Sequence, residues 1–239
     1  MWSTGNWSGI WTLKPYRHIP LNYIGVVTIV DQIVEASVCG QHNLPIWDFL
    51  QAEPFVRLSN FRDMVARETE TTIDIRRPSK NADSGLASLP AFTVIDGDKH
   101  IIGISRLCNR CWFRFAATKE LFHVLRPVEE DGRGFDEVIE DANTQMQHRH
   151  DLVSDISNEV DIEVFCYFAA IELLIPHSIR EDLEDYRNEG YLYFDLARAL
   201  RCPEYLLKNE VFSKSTGLRE TSEEAWRALE KQKKKSCRA

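Results

Sequence analysis

Two short alternating segments, Pro90 to Ile95 and His100 to Ile104, flank Asp96-Gly97-Asp98, and no other local signal constrains the fold as much. An Asp-Gly pair accepts the positive φ of a tight turn, so the segment predicts a β-hairpin. Thr71 to Arg76 alternates in the same way and predicts a strand ahead of it, with a polar loop over Pro78 to Ser88 between them. The expected product is a small antiparallel sheet.

Helical patterns lie on both sides. The run Tyr23 to Val38 is apolar, and its length favours a helix although its β-branched residues do not. Ile46 to Leu50 and Phe55 to Arg67 read as short helices broken at Pro45 and Pro54. After Arg106, candidate helices cover 108–125, 135–150, 156–174, 178–188, 190–200 and 203–209. Gly132 and Gly134 punctuate the first gap, and Pro176 ends the third helix. An initial helix, a small sheet and a helical half make an α+β domain over residues 23–212. Residues 1–22 read as an irregular arm anchored by Trp2, Trp7 and Trp11, and residues 213–239 as a polar, basic, frayed tail.

Composition narrows the function classes. The chain is 44% hydrophobic and 28% charged, which fits a globular protein with a real core and excludes global disorder. Lys and Arg number 29 against 37 Asp and Glu, a formal charge of −8, so direct nucleic-acid binding is not expected. Lys231, Lys233, Lys234 and Lys235 read as the end of a polar helix or tail, with a weak contact to an acidic partner as the sharper alternative. No apolar run approaches the ~20 residues that span a bilayer. The N-terminus has neither the basic start nor the apolar core of a signal peptide. A cytoplasmic protein with reduced cysteines, and no membrane partner, is the expectation.

The chemistry concentrates in residues 114–123, R-F-A-A-T-K-E-L-F-H. This is the form of H-E-x-x-H, the zinc-peptidase helix in which two histidines four apart hold the metal and the glutamate is general base. Lys119 stands at the first histidine, while Glu120 and His123 remain. A second segment, E-V-F-C-Y-F-A-A-I-E-L-L-I-P (163–176), follows at a suitable distance. Together the two resemble the ImmA/IrrE family of zinc metallo-endopeptidases, which typically read R-F-T-x-A-H-E-L-G-H-x-L and then a helix ending F-A-A-x-L-L-M-P. The resemblance implies a zincin-like domain with an N-terminal helix, a small antiparallel sheet and a helical C-terminal half. It also implies that Glu120 is the catalytic base, that His123 and Glu163 are metal ligands, and that Lys119 replaces a third. Phe122 stands where the family has glycine, and Tyr167 where it has asparagine. Such proteins cleave or antagonise helix-turn-helix repressors, so a protein partner of that kind is the implied context.

Lysine at a ligand position changes the chemistry. With a reference pKa of about 10.4 it is an ammonium at neutral pH and has no lone pair to donate. One expectation is that the ammonium takes the metal's place and pairs with Glu163 and Glu120, leaving a pseudoenzyme with no cofactor. The other keeps a zinc site built from His123, Glu163 and Cys166, with His148 and His150 as further donors. Plainer readings stand beside both: a solvated helix face for Lys119, a solvated helix start for Glu163, a small core residue for Cys166, and an exposed helix end for His148-Arg149-His150. Phe165, Phe168, Leu173 and Leu174 read as core. Cys108 and Cys111 form one C-x-x-C, which is half a zinc ribbon or a redox pair by motif, but core cysteines by context. No Ser/His/Asp set, phosphate loop or dinucleotide fingerprint is present. The leading expectation is a regulatory protein with a metallopeptidase-like fold that binds a protein partner. An active zinc endopeptidase is second, and a redox or zinc module on Cys108 and Cys111 third.

Overall fold

The computed structural model describes residues 22–37, 56–77, 91–125, 162–213 and 218–236. The expected helices at 46–50 and 135–150, the Pro78 to Ser88 loop, the aromatic arm, His148 and His150 lie outside the described residues.

Helix α1 (Tyr23–Ser37) opens the fold. Asn22 starts it by accepting the Gly25 N–H on its side-chain oxygen at 2.9 Å, satisfying one of the free donors of the first turn. Its valines and isoleucines are poor helix formers in isolation. Val26, Val27, Ile29, Val30 and Ile33 are nonetheless completely buried, so packing overrides propensity. Helix α2 (Leu58–Thr69) follows and ends with Glu70 in the left-handed region at φ 54°.

Strands β1 (Thr72–Arg76), β2 (Ala91–Asp96) and β3 (Lys99–Ile104) form a three-stranded sheet in the order β1-β3-β2. The hairpin expectation holds, with one refinement. Gly97 and Asp98 are the two central turn residues and only the glycine has positive φ, 63°, so glycine occupies the first central position. The expectation of a purely antiparallel sheet is corrected, because β3 runs parallel to β1 and antiparallel to β2. The physical reason is that β3 carries the most deeply buried side chains of the three strands. It therefore takes the centre, where Ile102 and Ile104 are fully buried.

Helix α3 (Arg110–Leu125) packs on α2 and on the face of β2 and β3. Asn109 accepts the Cys111 and Trp112 N–H groups at 3.0 Å each and caps its start. Helix α4 (Ile162–Leu174) packs between α3 and α1. A 3₁₀ turn (His177–Ile179) after Pro176 leads to α5 (Arg180–Asn188) and α6 (Tyr193–Leu200). A short π-helical turn follows over Leu206–Val211. The frayed tail expected from Ser213 is a second correction: residues Leu218–Ser236 form a 19-residue helix, α7, that packs on α1. The described chain is thus α+β, mainly helical around a small mixed sheet. Among the described residues no single helix is long and apolar enough to cross a membrane.

Candidate functional site

Four side chains meet where α3, α4 and β2 converge. Helical spacing puts Lys119 and His123 on one face of α3, directed at the first turn of α4. There Lys119 Nζ lies 2.5 Å from Glu163 Oε2, and His123 Nε2 lies 3.0 Å from Glu163 Oε1. The second contact is off the line of a good hydrogen bond, so its attraction is mainly that of opposite charges. Lys119 also approaches Glu120 Oε1 at 3.5 Å. The other oxygen of Glu120 accepts a hydrogen bond from Thr93 Oγ1 of β2 at 2.9 Å. Cys166, one turn beyond Glu163, is fully buried.

The plain readings of Lys119 and Glu163 do not survive this geometry. Helix α3 is buried almost all round, and the Lys119 side chain is 22% exposed and that of Glu163 30%. The plain reading of Cys166 as a small core residue agrees with its burial, and Phe165, Phe168, Leu173 and Leu174 are core as expected.

Proton affinities follow from the contacts. Burial pulls the Lys119 ammonium down, but the Glu120 and Glu163 carboxylates outweigh it and hold the amine above the ordinary lysine range. Burial also opposes charge on His123, yet the Cys166 sulfur and Glu163 hold the imidazole well above its ordinary value. Burial pushes Glu163 up, and the stronger pull of His123 and Lys119 takes it far below the usual carboxylate range. The Lys119 ammonium thus lies between the Glu163 and Glu120 carboxylates.

A zinc ion, the cofactor implied by the H-E-x-x-H likeness, does not fit this donor set. The group at the first ligand position is an ammonium already bonded to the carboxylate that should be the third ligand. Among the described residues no three His, Cys, Asp or Glu side chains converge on a point that could hold a metal ion. His123, Glu163 and Cys166 are neighbours in a chain of contacts. They are not three vertices around one centre.

No protein-family model, curated protein or solved structure matches the chain. The site must therefore be argued from its own residues.

The C-x-x-C cysteines sit at the start of α3, half-buried and not joined in a disulfide. Burial raises both thiols above their ordinary range, the opposite of an activated redox pair. Arg114, the first residue of the motif decamer, is a staple. Its guanidinium donates to the carbonyls of Leu200 at 2.6 Å and Val56 at 2.6 Å, joining α3 to distant segments.

A second charged centre escapes the motif reading. Glu172 is completely buried on α4. It accepts from Tyr23 Oη at 2.7 Å, Ser222 Oγ at 2.7 Å and Trp226 Nε1 at 3.1 Å, and pairs with Arg180 at 2.9 Å. Burial would raise this carboxyl, but Arg180 and the three donors hold it low. The signal in the sequence was an acid inside a run of apolar residues, F-A-A-I-E-L-L-I-P, which demands a buried cation nearby. A cavity of about 330 Å³ opens beside this centre, lined by His177, Arg180, Glu184, Phe212, Arg219 and Glu223 among others. Its three arginines are already paired, Arg180 with Glu172, Arg219 with Glu184 and Glu223, and Arg227 with Glu223, so none of them is left uncompensated to select an anion.

Proposed function

We propose that this chain is a regulatory protein on a metallopeptidase-like, zincin-type scaffold, which binds a protein partner such as a helix-turn-helix repressor and does not hydrolyse it. The observation that carries the reading is the 2.5 Å contact between Lys119 Nζ and Glu163 Oε2. A hydrolytic site of the H-E-x-x-H type needs that carboxylate on a metal and needs the glutamate beside residue 119 free to take a proton from water. Here Glu163 is engaged by an ammonium, and Glu120 is held between Lys119 and Thr93. Both carboxylates that the chemistry would use are tied into structure.

The partner class rests on the likeness of residues 114–125 and 163–176 to repressor-directed metallopeptidases. The test is direct binding. Helix-turn-helix repressors from the same genome are titrated into the protein by calorimetry, then incubated with it with and without zinc and examined by mass spectrometry. Binding of one repressor with its mass intact is the expected outcome. Failure to bind any of them removes the partner assignment.

A second reading, an active zinc endopeptidase on an unusual ligand set, takes Cys166, buried one turn beyond Glu163, as a donor. Zinc-dependent cleavage that disappears in Glu120→Gln is the result that selects it.

A further inference from the structure

We infer that Lys119 is a tethered cation occupying the place of a divalent ion, and that it plugs a latent metal site between α3 and α4. The inference rests on the non-hydrolytic reading above, but it concerns how the site is built and makes its own predictions.

Three observations carry it. The first is position. Lys119 and His123 reach opposite oxygens of one carboxylate, at 2.5 Å and 3.0 Å. An imidazole and a carboxylate from two different helices thus already face each other across the seam. The second is charge. The Lys119 ammonium stands between two carboxylates, 2.5 Å from Glu163 and 3.5 Å from Glu120. A divalent cation entering beside it would meet repulsion that a partly desolvated site does not screen away. The third is anchoring. Thr93 fixes Glu120 from the sheet side. His123 and Glu163 are carried by α3 and α4, which pack on each other, so the backbone that presents the donors keeps its place when the amine is withdrawn. A shorter side chain with a lone pair at position 119 converts the plug into a third donor beside His123 and Glu163.

The experiment compares wild type with Lys119→His, both stripped with chelator and titrated with Co²⁺. Visible absorption reads coordination and melting temperature reads its effect on the fold. The wild-type protein is expected to give no d–d bands and no shift in melting temperature. Lys119→His is expected to take up one equivalent and melt several degrees higher with the ion. Adding His123→Ala to it should abolish both effects. A sulfur-to-cobalt charge-transfer band in Lys119→His places Cys166 in the uncovered site, and its absence leaves the site to His123, Glu163 and residue 119. Should metal-free Lys119→His fail to fold, refolding with and without Co²⁺ decides, since recovery only with the ion supports the inference. Stoichiometric Co²⁺ on the wild-type protein overturns it. So does a Lys119→His protein that binds no ion when folded, or that recovers in neither refolding. None of these results depends on a repressor binding, so a failed partner assay and a failed plug remain distinguishable.

Discussion

At the scale of single residues, the ammonium at position 119 decides what the cluster does. Removing it takes from Glu163 and Glu120 the ammonium they share in a half-buried site. Breaking a fully buried pair costs roughly 3–5 kcal/mol. With side chains 22% and 30% exposed, solvent recovers part of that, and Lys119→Ala should lose about 2 kcal/mol. Urea unfolding at neutral pH measures it, and a variant as stable as wild type would show that the pair is ornamental. The same cluster makes a pH prediction. Glu163 is depressed in the fold, so its contribution is complete above its unfolded value of about 4.3 and is lost as pH falls below that, toward the folded value. Lys119 is raised, so its contribution is complete below about pH 10 and is lost only above its folded value. The stability gap between wild type and Glu163→Gln should therefore shrink steadily as pH falls from about 5 toward 3, and narrow again above about pH 6.5 by the share that Glu163 gives the raised His123. A gap that does not change with pH would mean the carboxylate is not held as a charge. The pairing of Lys119 with Glu163 was legible through the likeness of residues 114–125 and 163–176 to a metal-binding pair of helices, which puts the amine and the carboxylate at neighbouring ligand positions. It did not reveal Thr93, since a lone threonine on an edge strand carries no motif.

At the scale of elements, β3 sets the geometry on which the site rests. Phe92 of β2 lies directly across from Gly103 in the register. A Cβ at Gly103 would lie 2.3 Å from the Phe92 ring, so the aromatic ring covers the bare backbone of the glycine. Gly103→Ala should force the ring aside and cost about 1–3 kcal/mol, the usual range for overpacking. The partner test is the double variant with Phe92→Leu. If the clash is the cause, the double variant loses less than the sum of the two single changes. Strict additivity would assign the cost elsewhere. The Asp-Gly signal announced this hairpin, yet the parallel pairing with β1 was not legible. Local patterns report a strand and its turn, while strand order follows from which strand is apolar enough to be covered on both edges. The C-terminal helix was missed for a related reason. Its buried face is Thr221, Ser222, Ala225 and Leu229; these fall at helical spacing, but two are hydroxyls and the charged residues around them are many, so the apolar signal is sparse.

At the scale of the whole molecule, that missed helix closes the fold. Helix α7 brings Ser222 and Trp226 to Glu172, while α1 brings Tyr23 and the start of α5 brings Arg180. One buried carboxylate thus joins four segments that are far apart in sequence. A second tie lies farther along, where Lys233 meets Asp31 of α1 at 2.5 Å. A chain ending at Ser213 would keep the Arg180–Glu172 pair but lose two of the other three donors to a completely buried charge. It would also uncover the α1 surface that Ala225 and Leu229 pack against. Each unsatisfied donor–acceptor loss of this kind costs about 1–3 kcal/mol, and the exposed apolar area adds to it. Against a typical net stability of roughly 5–15 kcal/mol, the truncated protein should be largely unfolded or aggregated at 37 °C. Circular dichroism and size-exclusion chromatography report this directly. Restoring the helix as a separate peptide of residues 214–239 should recover a compact form. The same peptide with Ser222→Ala and Trp226→Phe should recover much less, because it replaces the apolar face without the two hydrogen bonds. Equal recovery by the two peptides would mean that α7 acts through packing alone, and that Glu172 relies on Arg180 and Tyr23. A truncated chain that folds as well as the full one would make α7 an appendage.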